Sequence, residues 1–90
     1  MSVEGRRIEV RGVVQGVGFR PWVYRLARHE GLTGRVRNDA RGVTIEAFGP
    51  AGALDTFVRQ LRSCWPPAAS ISDVQSHPIP PELREPSRPG

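Results

Sequence analysis

The segment Gln15-Gly16-Val17-Gly18-Phe19-Arg20 combines two features that suit an anion. Glycines let the backbone turn sharply and come close to a ligand with no Cβ in the way. Several amide N–H groups in such a bend can converge on one point. Arg20 adds a planar guanidinium whose parallel donors match a tetrahedral oxyanion. A phosphate group fits this combination. Taken alone, a glycine pair can serve only a tight turn and an arginine only a surface ion pair, so the position of the segment in the fold decides what it can do.

The residues before the loop read as a strand. From Ile8 to Val14, Ile8, Val10 and Val14 alternate with Glu9 and Arg11, and Gly12 falls on the apolar side, which is the period of a strand with one buried face. After the loop, Pro21 suits the first turn of a helix. Over Pro21 to Glu30, Val23, Leu26 and Ala27 make a core-facing stripe with Trp22, and Gly31 stops the helix. The glycine-rich segment therefore joins a strand to a helix N-terminus, where orphan amides and the helix dipole favour an anion.

Two short strands follow, Gly34 to Asn38 and Val43 to Phe48, around a hairpin turn Asp39-Ala40-Arg41-Gly42. Leu54, Phe57, Val58 and Leu61 recur at i, i+3, i+4 and i+7 and define a second helix, ended by Pro66 and Pro67. Ser70 to Gln75 is a weakly alternating last strand with Ile71 and Val74 as its sizeable apolar residues. From His77 onward the prolines at 78, 80, 81, 86 and 89 predict a tail or linker. The expected organisation is a domain over residues 1–76 and a proline-rich tail over 77–90. The order β-α-β-β-α-β predicts an α+β, ferredoxin-like sandwich, an antiparallel four-stranded sheet with two helices on one face.

Gly12-Val13-Val14-Gln15-Gly16-Val17-Gly18-Phe19-Arg20, followed by Gly31-Leu32-Thr33-Gly34 and Val36-Arg37-Asn38, resembles the acylphosphatase family over about residues 6 to 76. The resemblance implies hydrolysis of an acyl phosphate to a carboxylate and inorganic phosphate. It implies that Arg20 holds the phosphate, that the amides of Gln15, Gly16, Val17, Gly18 and Phe19 cradle it, and that Asn38 orients the attacking water. A carboxylate is already a good leaving group, so such a reaction needs charge stabilisation and an aligned nucleophile more than a strong general acid. An asparagine amide can accept from and donate to a water, and so aim it without taking its proton. Without the resemblance, Asn38 before Asp39 reads as a turn residue.

Arg20-Pro21-Trp22-Val23-Tyr24-Arg25-Leu26-Ala27 and Trp65-Pro66-Pro67-Ala68-Ala69-Ser70-Ile71 are similar to the N-terminal acylphosphatase-like domain of hydrogenase maturation carbamoyltransferases. That likeness implies carbamoyl phosphate as substrate and the remainder of a larger carbamoyltransferase chain as partner. It also leaves open a domain that binds phosphate without turnover. Arg41, where many relatives carry an acidic residue, and Arg35, where an aromatic is common, depart from the family pattern and bear on substrate preference.

Ninety residues suit one small domain. The net charge of +4 comes from thirteen basic residues, all arginine, which favours anionic ligands without choosing among them. An RNA-binding module on the same fold is the rival reading, and it would need base-stacking aromatics on the central strands. There are none on the first strand, and the third carries Phe48 at its end. Cys64 stands alone, so no intrachain disulfide forms, and it reads as a packed small residue. His29 and His77 stand in no metal-ligand spacing with Cys64 and read as exposed; no metal or cofactor is expected. No secretory signal is visible and no run approaches the roughly 18 apolar residues that span a bilayer. The expectation is a cytoplasmic protein.

Overall fold

Alternation along the strands and the helical stripes determine which faces meet. In the computed structural model, which describes residues 3–13, 18–65 and 70–83, the elements are β1 (Glu4–Val13), α1 (Phe19–His29), β2 (Thr33–Asp39), β3 (Gly42–Gly49), α2 (Ala51–Ser63) and β4 (Ser70–Ile79), followed by a short 3-10 turn, Pro81–Leu83. The sheet order is β2-β3-β1-β4, with every neighbouring pair antiparallel. This is the expected ferredoxin-like sandwich. β1 and β2 both run antiparallel to β3, so they are parallel to each other and end at the same edge of the sheet.

One face of the sheet carries Ile8, Val10, Val36, Val43, Ile45 and Ala47. These pack with Phe19 and Val23 of α1 and with Leu54, Phe57, Val58 and Leu61 of α2, all buried. Leu54, Phe57 and Leu61 are each 0% exposed, so α2 is the main lid of the core. α1 ends in a Schellman arrangement: the Leu32 amide donates to Ala27 O at 2.9 Å and the Gly31 amide to Arg28 O at 3.1 Å. Gly31 takes φ 74°, a left-handed conformation that glycine adopts without the Cβ penalty.

β4 corrects two expectations. It extends to Ile79, with His77, Pro78 and Ile79 opposite Arg7, Arg6 and Gly5, so a boundary at residue 76 cuts through a strand. Pro78 is tolerated because β4 is an edge strand, where one side of the ladder has no partner to lose. The poor alternation of Ser70 to Gln75 also has a cause. Arg11 pairs with Asp73 but Gly12 with Ile71, so β4 carries one extra residue there, a β-bulge. The extra residue lets Ile71 and Val74, three apart, both pack against the core. Ser72 Oγ donates to Arg11 O at 3.2 Å across the irregular step.

A third correction concerns Cys64, which is exposed rather than packed. α2 ends at Ser63, and Cys64, at φ −129°, has left the helical track that carries Leu54, Phe57, Val58 and Leu61 inward. Trp65 is the neighbour that packs against the core.

The helix-free face of the sheet is polar around one buried carboxylate. Glu46 is 6% exposed. Arg35 Nε donates to its Oε1 at 2.9 Å, and Arg7 Nη2 and Nε donate to its Oε2 at 3.1 and 3.4 Å. Burial pushes the Glu46 carboxyl up, but the hydrogen bonds and charges of Arg35 and Arg7 together outweigh it and hold the group below its ordinary value. Asp39 is also held low, first by the Arg41 amide on its Oδ1 and then by the Thr44 hydroxyl on its Oδ2, both at 2.8 Å.

Both carboxyls bind protons less readily in the fold than in the unfolded chain. Their contribution is therefore complete above the ordinary values, 4.5 for Glu46 and 3.8 for Asp39, and declines as pH falls through them toward the lower folded values. Chemical denaturation between pH 7 and pH 3 is expected to show that decline. Glu46→Gln should lose about 1–2 kcal/mol at pH 7 and flatten the acid limb. An unchanged pH slope would refute the role assigned to Glu46.

Candidate functional site

The β1–α1 connection supplies the local geometry. Gly18 is the N-cap of α1 at φ 74°, ψ 18°, left-handed, and its carbonyl accepts from the Trp22 amide at 3.2 Å. It caps with no side chain, the first turn carries no acidic residue, and Pro21 brings no N–H there. The amides of Phe19 and Arg20 stand at the first two helical positions, where an α-helix offers no acceptor of its own. The positive end of the helix dipole adds to them. Phe19, 1% exposed, and Trp22, its ring 5.4 Å away at 47°, anchor this turn to the core.

Arg20 is exposed in that first turn and forms no ion pair among the described residues. Asn38 is the penultimate residue of β2, opposite Val43, which itself lies in the row of Val10. By strand alternation it shares the helix-bearing face with the buried Val36. Because β1 and β2 are parallel, Asn38 emerges at the end of the sheet where β1 hands over to α1. Topology thus puts the start of α1, which carries Arg20, and the end of β2, which carries Asn38 eighteen positions later, at the same end of the sheet. Gln15, Gly16 and Val17 lie outside the described residues.

Sequence reasoning took Asp39 for a turn residue and missed its bracing. Its two oxygens grip the Arg41 amide and the Thr44 hydroxyl and pin the strand end that carries Asn38. The legible signal is an Asp two residues before a turn amide, the Asx-turn spacing.

Arg35 is tied to Glu46 on the opposite face of the sheet, away from Asn38. His29 and His77 are exposed. Phe48, the one aromatic on the two central strands, is 3% exposed, so those strands offer no stacking platform for bases. No helix among the described residues is long and apolar enough to cross a membrane.

A sandwich of this order is the ferredoxin-like architecture of the acylphosphatases. The acylphosphatase family model matches residues 6–87, and the chain belongs to that family. Among its relatives, the carbamoyltransferase HypF2 of Cupriavidus necator is 60% identical over 68 residues, covering 76% of this chain and 8% of that protein. The acylphosphatase of Nitrobacter hamburgensis is 41% identical over 87 residues, covering 94% of this chain and 86% of that enzyme. Among solved structures, full-length HypF in its phosphate- and nucleotide-bound form superposes with a TM-score of 0.84 at 33% identity, over 88% of this chain and 10% of that one. The chain thus spans about a tenth of the carbamoyltransferases it matches and most of the length of the small acylphosphatases.

Proposed function

We propose that this chain hydrolyses an acyl phosphate to a carboxylate and inorganic phosphate, with carbamoyl phosphate as a substrate. The carrying observation is the exposed Arg20, without an ion-pair partner among the described residues, in the first turn of a helix with no side-chain cap, at the sheet end where Asn38 emerges. In this reading the phosphoryl oxygens rest on the Arg20 guanidinium and on amides from Gln15 to Phe19. These donors stabilise the charge spread over the equatorial oxygens as the bond between phosphorus and the leaving carboxylate oxygen breaks. Asn38 holds a water in line. The water oxygen bonds to phosphorus, the carboxylate departs with the bonding electrons, and the water proton passes to a phosphoryl oxygen. The side chains hold and aim the reactants, so the chemistry needs no histidine or carboxylate pair.

Asn38→Ala is expected to lower kcat for benzoyl phosphate by about 10²-fold with KM changed less than about threefold, since it removes positioning of the nucleophile rather than phosphate binding. Unchanged turnover in steady-state assays would end the water-orienting role.

A second reading is favoured by the 60% identity to a carbamoyltransferase of which this chain spans 8%. In it the domain binds the phosphate group of carbamoyl phosphate within a larger chain and turnover is completed elsewhere. Assays of the purified chain with benzoyl and carbamoyl phosphate separate the two. Release of inorganic phosphate supports the hydrolase. No release, with phosphate still shifting the amides of Gly18 and Phe19, supports the binding domain.

A further inference from the structure

A second cationic groove lies on the other flank of the molecule, where α2 crosses β1 and the edge strand β4. Asp55, Arg59 and Arg62 recur at i, i+4 and i+7 and so share one face of α2. With Arg6 of β1 and Ser76 of β4 they line a groove of about 350 Å3, within the range of small-molecule sites. Three guanidiniums face one carboxylate there, an excess of two positive charges.

Two of the guanidiniums are held in place by the protein. Arg6 Nη2 donates to Asp55 Oδ1 at 3.0 Å, and the Arg6 side chain is only 21% exposed. Arg62 Nη2 donates to the Val74 carbonyl at 3.3 Å. Each bond occupies one nitrogen of a five-donor fork and orients the rest, which lowers the ordering cost of taking up a ligand. The Arg59 guanidinium has no partner among the described residues, and the half-buried Ser76 hydroxyl supplies a further donor. The arrangement is rich in donors and positive charge and holds a single acceptor-bearing carboxylate, which is already engaged by Arg6. Such a site recognises a multiply charged oxyanion.

We infer that this groove binds a small phosphate-bearing polyanion at a site separate from Arg20. Arg20 opens α1, which crosses between β1 and β2. The groove belongs to α2 and β4, on the other side of β1.

The test uses pyrophosphate as probe and the full chain carrying Arg20→Ala, which removes the proposed site at α1. Titration followed by NMR is expected to shift the Nε–Hε signals of Arg6, Arg59 and Arg62 and the Ser76 amide saturably. Adding Arg59→Gln and Arg62→Gln should weaken that binding about tenfold or more. Both residues are exposed on α2 and glutamine suits a helix, so the fold is retained and a melting curve verifies it. Affinity untouched by the double substitution overturns the site. Shifts scattered over the surface and abolished by moderate chloride also overturn it. Citrate binding as tightly as pyrophosphate overturns the phosphate assignment. In the otherwise wild-type chain the same double substitution should leave acyl phosphate turnover unchanged, so this inference and the acylphosphatase reading fail separately.

Discussion

Arg20→Ala is expected to lower kcat/KM for benzoyl phosphate by about 10³-fold or more, with phosphate affinity falling as well. The guanidinium is the one side-chain charge in the first turn of α1, and the backbone donors around it are neutral. Its removal takes away both ground-state binding and the stabilisation of charge that builds on the phosphoryl oxygens, so both kinetic parameters suffer. Asn38→Ala differs in losing mainly kcat. Arg20→Lys keeps the charge but loses the parallel donors, and should fall between wild type and alanine. Steady-state kinetics and phosphate titration decide the matter. A loss of less than about tenfold for Arg20→Ala would show that the phosphate is held elsewhere. Arg20 is exposed, so its replacement leaves the core intact and the reading is clean.

Phe57→Ala is expected to have the largest effect on stability, about 3–5 kcal/mol. Phe57 is 0% exposed at the centre of α2 and sits in the cluster that joins both helices to the sheet. A domain of this size has only about 5–13 kcal/mol to lose. Thermal unfolding should therefore move down by at least about 12 °C. A shift of a few degrees would mean that α2 contributes far less to the core than its burial implies. Catalysis measured well below the new midpoint should stay close to wild type, because Phe57 lies on α2 and the candidate residues lie on α1 and β2.

The elements most legible in the sequence were those whose pattern is local. Ile8 and Val10 alternate with Glu9 and Arg11, and Leu54, Phe57, Val58 and Leu61 keep helical spacing, so β1 and α2 could be read from neighbours alone. The features that escaped depend on distant partners. β4 is expected only as far as Gln75, because its alternation is weak and prolines recur from position 78. Its bulge exists only in register with β1, and Pro78 is harmless only because nothing pairs on its far side. Glu46 reads as one more polar strand residue, and its burial depends on Arg7, thirty-nine positions away. The candidate site divides in the same way. Gly18 and Arg20 suggest an anion-binding turn by residue type alone, whereas Asn38 reads as a turn residue from its neighbours and is singled out only by the family resemblance, until the parallel course of β1 and β2 carries it to that end of the sheet.

The two outer strands also bear on how copies of this chain treat one another in a crowded solution. A sheet with bare flanks invites another sheet to dock alongside and extend it into a fibril. Here β4 is kinked by its additional residue and lacks a donor at Pro78, while β2 projects Arg35 and Arg37. Straightening β4 by deleting Ser72 and restoring a donor at position 78 would therefore remove a safeguard against self-assembly while leaving α1 and the candidate site alone.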